Sequence, residues 1–286
     1  MSDALVNGLL LGGLYALVAL GLSVVFGVLR LINLAHGELL IAGAYLAYVL
    51  NEQLGLGPFA ALPIVVVVVG GIAYVLQRFL LTGLLLRGAE GALVATFGLS
   101  LLAQGLFSQW FSSNPKALNS SLATAGVALG SIHTRTSYLV AFGIAAVLCT
   151  AAHLLLTRTR TGTRVRAAAA DPATAGLMGI DVRGIYAITF ALGAVLAALA
   201  GVLVGVTFSF TPTTGTSYLL IGIAVVVVGG VGNVLGTFAG ALVLGLIQSV
   251  AAQVFGGGYR DLAVYLVFFI VLAARPQGLL TRNAPA

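Results

Sequence analysis

Residues 5–29 read LVNGLLLGGLYALVALGLSVVFGVL and carry no charged side chain. As an α-helix at about 1.5 Å per residue, this run is longer than the roughly 30 Å hydrocarbon core of a bilayer. It follows an acidic Asp3 rather than a basic region and ends without a small-residue cleavage site. It therefore reads as a retained membrane helix and not as a removed leader.

The same character extends along the chain. Apolar runs separated by polar or Gly/Pro breaks lie at 5–29, 34–50, 58–81, 92–111, 137–157, 185–207, 217–231, 234–254 and 261–274. The break containing Gly229, Gly230, Gly232 and Asn233 fits either a turn between two crossings or a re-entrant, broken helix, so the expectation is eight or nine crossings. The expected fold class is an all-α integral membrane protein, a polytopic bundle with a short cytoplasmic helix in the loop at about 158–184. Composition agrees: 60% of the 286 residues are hydrophobic and 7% charged, against about 25% charged in a soluble domain.

The net charge of +6 does not point to nucleic acid, which needs a basic stripe on a solvated face. The twelve Arg and one Lys lie mostly at the ends of apolar runs, where they orient helices. With nine crossings, ten of them (Arg30, Arg78, Arg87, Arg158, Arg160, Arg164, Arg166, Arg183, Arg275, Arg282) fall on one side and three (Lys116, Arg135, Arg260) on the other. Positive charges are retained in the cytoplasm, so the 158–184 loop and the C-terminus are expected there and the N-terminus outside.

Several chemistries are excluded. Cys149 is the single cysteine, so no disulfide within the chain and no thiolate metal spacing exists. His36, His133 and His153 form no H-E-x-x-H pattern and no G-x-S-x-G occurs, so no catalytic residue and no metal site is expected. His153 is expected to be a hydrogen-bonded packing residue. A phosphate-binding P-loop needs a lysine after its glycines, and the only lysine is Lys116 in Asn114-Pro115-Lys116. The chain cannot be an ATPase, and ATP and Mg would be held by other chains.

Small-xxx-small spacings recur at Gly8/Gly12, Gly201/Gly205 and Gly232/Gly236/Gly240, which lets helix backbones approach closely in lipid. Two stretches carry more specific signals. The first is Asn33-Leu34-Ala35-His36-Gly37-Glu38, an imidazole and a carboxyl at the start of an apolar run. Ionisable groups in membrane segments mark substrate pathways or ion sites, which opens the reading of an ion-coupled transporter. Against this, Asn33 can cap the helix, Glu38 suits its first turn, and the position reads as interfacial.

The second stretch is Asp171-Pro172-Ala173-Thr174-Ala175-Gly176-Leu177-Met178-Gly179. Asp171 suits an N-cap, Pro172 the first helical position and Gly179 the C-terminal cap, which predicts a helix of about two turns. That is shorter than the 12–15 residues an isolated helix needs in water, so something must hold it. Ala173, Leu177, Met178 and Ile180 suit either docking on a protein or lying on headgroups, with Arg164 and Arg166 near anionic lipid.

Asn7-Gly8, Gly12-Gly13-Leu14-Tyr15-Ala16-Leu17 and Asn33-Leu34-Ala35-His36-Gly37-Glu38 resemble the membrane permeases of branched-chain amino acid ABC importers. So do Arg164-Val165-Arg166-Ala167, Leu177-Met178-Gly179-Ile180, Phe190-Ala191-Leu192-Gly193-Ala194, Gly229-Gly230-Val231-Gly232-Asn233-Val234-Leu235-Gly236 and Arg275-Pro276-Gln277-Gly278-Leu279. The resemblance implies a single permease domain over 1–286, in the bacterial inner membrane. It also implies a second permease subunit, two cytoplasmic ATPases and an extracytoplasmic binding protein. This chain is similar to the smaller permease. The resemblance further implies that Asp171, Pro172, Ala173, Ala175, Leu177, Met178 and Gly179 form the helix that couples to an ATPase. Relatives with much the same signatures carry urea, short amides or other amino acids, so the substrate stays open, as does pairing with itself or with a different permease. Two departures are the short Thr82–Gly91 segment and Asp171, where ABC permeases often carry glutamate.

Overall fold

The computed structural model describes residues 1–86, 88–120, 126–129, 132–275 and 278–279. Arg87, Arg282, Pro276 and Gln277, used above for orientation or resemblance, lie outside the described residues.

The order is α1 (Ser2–Leu29), α2 (His36–Leu54), α3 (Pro58–Val75), a π-helical turn (Leu76–Leu81), α4 (Thr82–Leu85) and α5 (Ala89–Phe111). A two-stranded hairpin, β1 (Gly126–Leu129) with β2 (Ile132–Arg135), separates these from α6 (Thr136–Arg158), α7 (Arg160–Ala170), α8 (Pro172–Leu177) and α9 (Val182–Thr207). The chain ends with α10 (Thr214–Gly229), α11 (Val234–Phe255) and α12 (Arg260–Ala274). Among the described residues seven stretches are long and apolar enough to cross a membrane, α3 and α4 counting as one. α10, with 16 residues, is apolar but short, and α2 is not among the seven. The chain is thus an all-α polytopic membrane protein with one small hairpin that the sequence reading did not foresee.

Two helices form the axis. α1 and α9 are largely buried, whereas α3, α5, α6 and α12 bury only a minority of their spans. Their outward faces carry large apolar side chains such as Val67, Val94, Leu102, Val147 and Phe269. Water would not tolerate that surface; lipid tails and the face of another permease would.

Glycine sets how closely the axis packs, because lipid offers no hydrophobic drive and close van der Waals contact must substitute. α1 lies on α11 through Gly8, Gly12 and Gly245: a Cβ on Gly12 would fall 2.7 Å from Leu242 Cα and one on Gly245 2.5 Å from Gly12 N. Further along, a Cβ on Gly21 would meet the Gly193 carbonyl at 2.4 Å, and one on Gly201 the Leu40 carbonyl at 1.8 Å. The α10–α11 break is a tight turn: Gly230 and Gly232 have φ of +95° and +73°, and Asn233 caps α11 by accepting from Gly236 N (3.0 Å). Gly229 and Gly240 then pack backbone to backbone, a Cβ on Gly240 lying 2.8 Å from Gly229 N. α10 and α11 are therefore two helices joined by a turn. Leu279 N returns to the Val228 carbonyl at 2.9 Å, tying the C-terminal segment to the same turn.

At one end of the bundle Tyr45 stacks on Phe111 at 4.2 Å and meets Phe210 edge-on at 5.0 Å, while Lys116 bridges backbone to backbone with Phe210. At the other end Arg78 pairs with Asp181 at 3.1 Å, joining the π-helical turn to the N-cap of α9. The lone thiol, Cys149, is buried on α6 with its Sγ 3.7 Å from the Val234 carbonyl of α11.

Candidate functional site: a buried polar knot and an exposed capped helix

After α1 ends at Arg30 in the left-handed conformation, residues 31–35 fold back along it instead of leaving the bundle. They are apolar except Asn33, so burial costs little, and α2 begins deep in the protein. His36 Nε2 donates to the carbonyl of Val18 (3.1 Å), in the middle of the 28-residue α1. The interfacial position expected from the sequence is therefore wrong: Asn33, His36 and Glu38 are all at least 97% buried. The expected cap is wrong as well. The N-cap residue of α2 is Ala35, and Asn33 makes an Asx turn by accepting from Ala35 N at 3.0 Å.

The first turn of α2 meets the first turn of α10. A Cβ on Gly37 would lie 2.1 Å from the Gly215 carbonyl, and one on Gly215 2.6 Å from that of Gly37, so both must be glycine. Each helix N-terminus carries roughly half a positive charge. The Glu38 carboxyl lies where the two ends meet, beside Gly215. Glu38 Oε1 accepts from Gln104 Nε2 (2.8 Å) and Ser100 Oγ (3.3 Å), and Gln104 Nε2 also reaches Thr216 Oγ1 (3.2 Å). Ser100, Gln104 and Thr216 belong to the knot although sequence reading missed them. Their signal was weak: the Ser100/Gln104 pair at i, i+4 is ordinary on a helix face. Asn33 Nδ2, His36 Nδ1 and Glu38 Oε2 have no hydrogen-bond partner among the described residues.

The second feature lies where the chain emerges at the Arg78–Asp181 end. The 158–184 segment, expected as a loop around one short helix, contains two helices. α7 is amphipathic, capped by Thr159 accepting from Gly162 N (3.0 Å), with Gly162, Val165 and Ala168 turned inward. Arg166 donates to the Leu156 carbonyl. α8 is a cap-to-cap unit. Asp171 accepts from Ala173 N (3.0 Å), Thr174 N (3.3 Å) and the Thr174 hydroxyl, and Pro172 stands at the first position. Gly179, at φ +80°, closes a Schellman end in which Ile180 N bonds the Ala175 carbonyl and Gly179 N that of Gly176. Ala175 turns inward and Ile180 packs on the core, while Leu177 and Met178 are 89% and 79% exposed. Ala173 is exposed beside them.

Known proteins similar to the chain give its family. A family described as "Branched-chain amino acid transport system / permease component" matches residues 4–273. The chain belongs to that family. It is similar to the high-affinity branched-chain amino acid transport system permease protein BraD of Pseudomonas aeruginosa, 31% identical, with 97% of this chain and 95% of that one covered. It is also similar to the corresponding LivH of Escherichia coli K12, 28% identical over 96% of this chain and 94% of that one. The ribose import permease protein RbsC of Haemophilus influenzae is 28% identical over 95% and 84%. No solved structure matches.

The protein is thus a permease component of an ABC importer, a transport subunit and not an enzyme, and such permeases work with partner subunits and ATPases. Within this permease His153 is half-buried beside a 360 Å³ cavity at the Arg166 end, and its ring makes no hydrogen bond among the described residues, contrary to expectation.

Glu38→Ala in the permease is expected to strand the Ser100 hydroxyl, a donor worth about 1–3 kcal/mol when left unpaired in the interior, while Gln104 keeps Thr216 Oγ1. The measurement is the temperature at which Cys149 becomes reactive to a thiol dye; an unchanged midpoint would show that the carboxyl holds nothing together.

Proposed function

We propose that this chain is the smaller permease of an importer for branched-chain amino acids in a bacterial inner membrane. It pairs with a second permease, two cytoplasmic ATPases and an extracytoplasmic binding protein. Nine helices cross, α2 and α10 completing the seven longer spans, with the N-terminus outside and α7, α8 and the C-terminus in the cytoplasm. Asp171 to Gly179 form the coupling element. The observation that carries this reading is the exposure of Leu177 and Met178 on a helix too short to stand alone yet capped at both ends. A lipid-facing role would bring basic residues to the same face, but Arg164 and Arg166 stand on α7.

Asn33, His36, Gly37 and Glu38 border the translocation pathway in this reading. Support comes from three buried polar atoms without hydrogen-bond partners among the described residues, which a passing polar substrate or water can satisfy, at the point where two helix N-termini meet. Amino acids are favoured by the names of BraD and LivH, and a sugar by that of RbsC, so uptake by the complete importer in proteoliposomes should be run with leucine and ribose side by side. ATP-dependent leucine accumulation that survives collapse of the proton gradient is expected. Accumulation that follows the proton gradient instead would make His36 and Glu38 an ion site and refute the coupling account.

The cap gives a pH signature. Hydrogen bonds from the Thr174 hydroxyl and N–H, then Ala173 N–H, hold the Asp171 carboxyl below the usual carboxylate range. Its contribution is complete above the ordinary value of about 3.9 and is lost only as pH falls through the lowered one, so coupling should be flat across neutral pH. Asp171→Asn, which keeps an acceptor, should retain transport, whereas Asp171→Ala should depress it; equal uptake by both variants would remove the cap from the account.

A further inference from the structure

At the end of the bundle opposite α8, a 440 Å³ cavity opens between α1, α10, α11 and the start of α12. Its wall has two chemistries. Apolar residues, Leu11, Ile221 and Ala252, line it beside polar ones. Among the polar ones is a relay that crosses the whole sequence: Tyr15 donates to Gln248 Oε1, and Gln248 Nε2 donates to Asp261 Oδ1 at 2.7 Å. Tyr15 and Gln248 are at least 95% buried, so the Asp261 carboxyl is oriented from beneath by a fixed amide. Arg260 stands beside it, its Nε 3.7 Å from Asp261 Oδ1, longer than a hydrogen bond, and among the described residues no hydrogen bond engages its Nη groups. The cavity thus presents an acceptor and a fork of donors next to each other, with apolar side chains among its lining.

We propose that this cavity is a binding site for a zwitterionic α-amino acid with an aliphatic side chain. Asp261 takes the ammonium, Arg260 the carboxylate, and Leu11 and Ile221 the side chain. The proposal deepens the transport reading above and rests on it. Opposite charges a few ångströms apart match the two ends of an amino acid backbone, and a neutral sugar offers neither charge. The site also leads inward, because Thr214 lines it and stands next to Gly215, where α10 meets Gly37. A substrate released at the mouth would pass from the Arg260/Asp261 pair toward the Glu38 knot.

The test is direct binding of radiolabelled L-leucine, with D-ribose as the neutral probe, to the solubilised importer complex in the absence of its binding protein. Leucine should bind and ribose should not, and Asp261→Asn and Arg260→Gln should each weaken leucine at least about tenfold, which is about 1.4 kcal/mol. Both side chains are more than half exposed, so the complex should unfold at an unchanged temperature; should Asp261→Asn loosen the relay, Arg260→Gln still reports. Wild-type affinity in both variants, or ribose binding as well as leucine, overturns the site. Absence of leucine binding by the wild type also overturns it. Leucine uptake by the complete importer is measured in parallel, and its presence or absence decides the transport reading separately.

Discussion

Leucine uptake by the assembled importer should fall to background in Leu177→Asp, while the permease itself folds and inserts as before. Leu177 is 89% exposed, so its replacement disturbs little of the packing among the described residues. On the proposed reading it is an anchor in a partner's groove, and apolar anchors of that kind carry 2 kcal/mol or more of an interface each, by roughly the usual alanine-scan scale. A carboxylate in such a groove is worse than a truncation, because it must be desolvated without a partner. A loss of ATPase association measured by co-purification, with an unchanged unfolding temperature, is the expected pair of results. Full uptake in Leu177→Asp would mean that α8 contacts nothing that matters for transport.

The second large effect is expected from a single methyl group. Gly201→Ala places a carbon 1.8 Å from the Leu40 carbonyl and 3.3 Å from Ala44 N, where neither neighbour is a flexible side chain. Overpacking in a core that can relax costs about 1–3 kcal/mol, and here α2 and α9 would have to separate, so the cost should exceed about 3 kcal/mol. Gly98→Ala is the matched control, since a Cβ there meets nothing within 4 Å and removing a helix glycine gains up to about 1 kcal/mol. Expression and thermal unfolding of the two variants should move in opposite directions. A Gly201→Ala protein as stable as the wild type would show that the α2–α9 contact is looser than described.

What could be read from sequence follows from what sequence encodes locally. The long apolar runs and the α8 caps were legible because each signal is contiguous: Asp171, Pro172 and Gly179 carry their own geometry. α7 was missed because its inward face is Gly162, Val165 and Ala168, residues too small to mark a helix against a background of Arg and Thr. The hairpin escaped because each strand is only four residues long. The depth of His36 was misjudged for another reason. Hydropathy locates an apolar run but not the direction in which the chain turns after Leu29, and the clue, the apolar character of Leu31, Ile32, Leu34 and Ala35, fits a descent as well as a margin. The Tyr15–Gln248–Asp261 relay begins with a bond between positions 233 residues apart, and no local pattern anticipates it.

The solitary thiol sealed between α6 and α11 makes the natural protein its own reporter. A transport cycle that prises these two helices apart would uncover Cys149 to a maleimide, and one that rocks them as a rigid pair would keep it protected throughout. Trapping the importer with and without nucleotide and timing the alkylation would therefore distinguish the two motions without engineering a single residue.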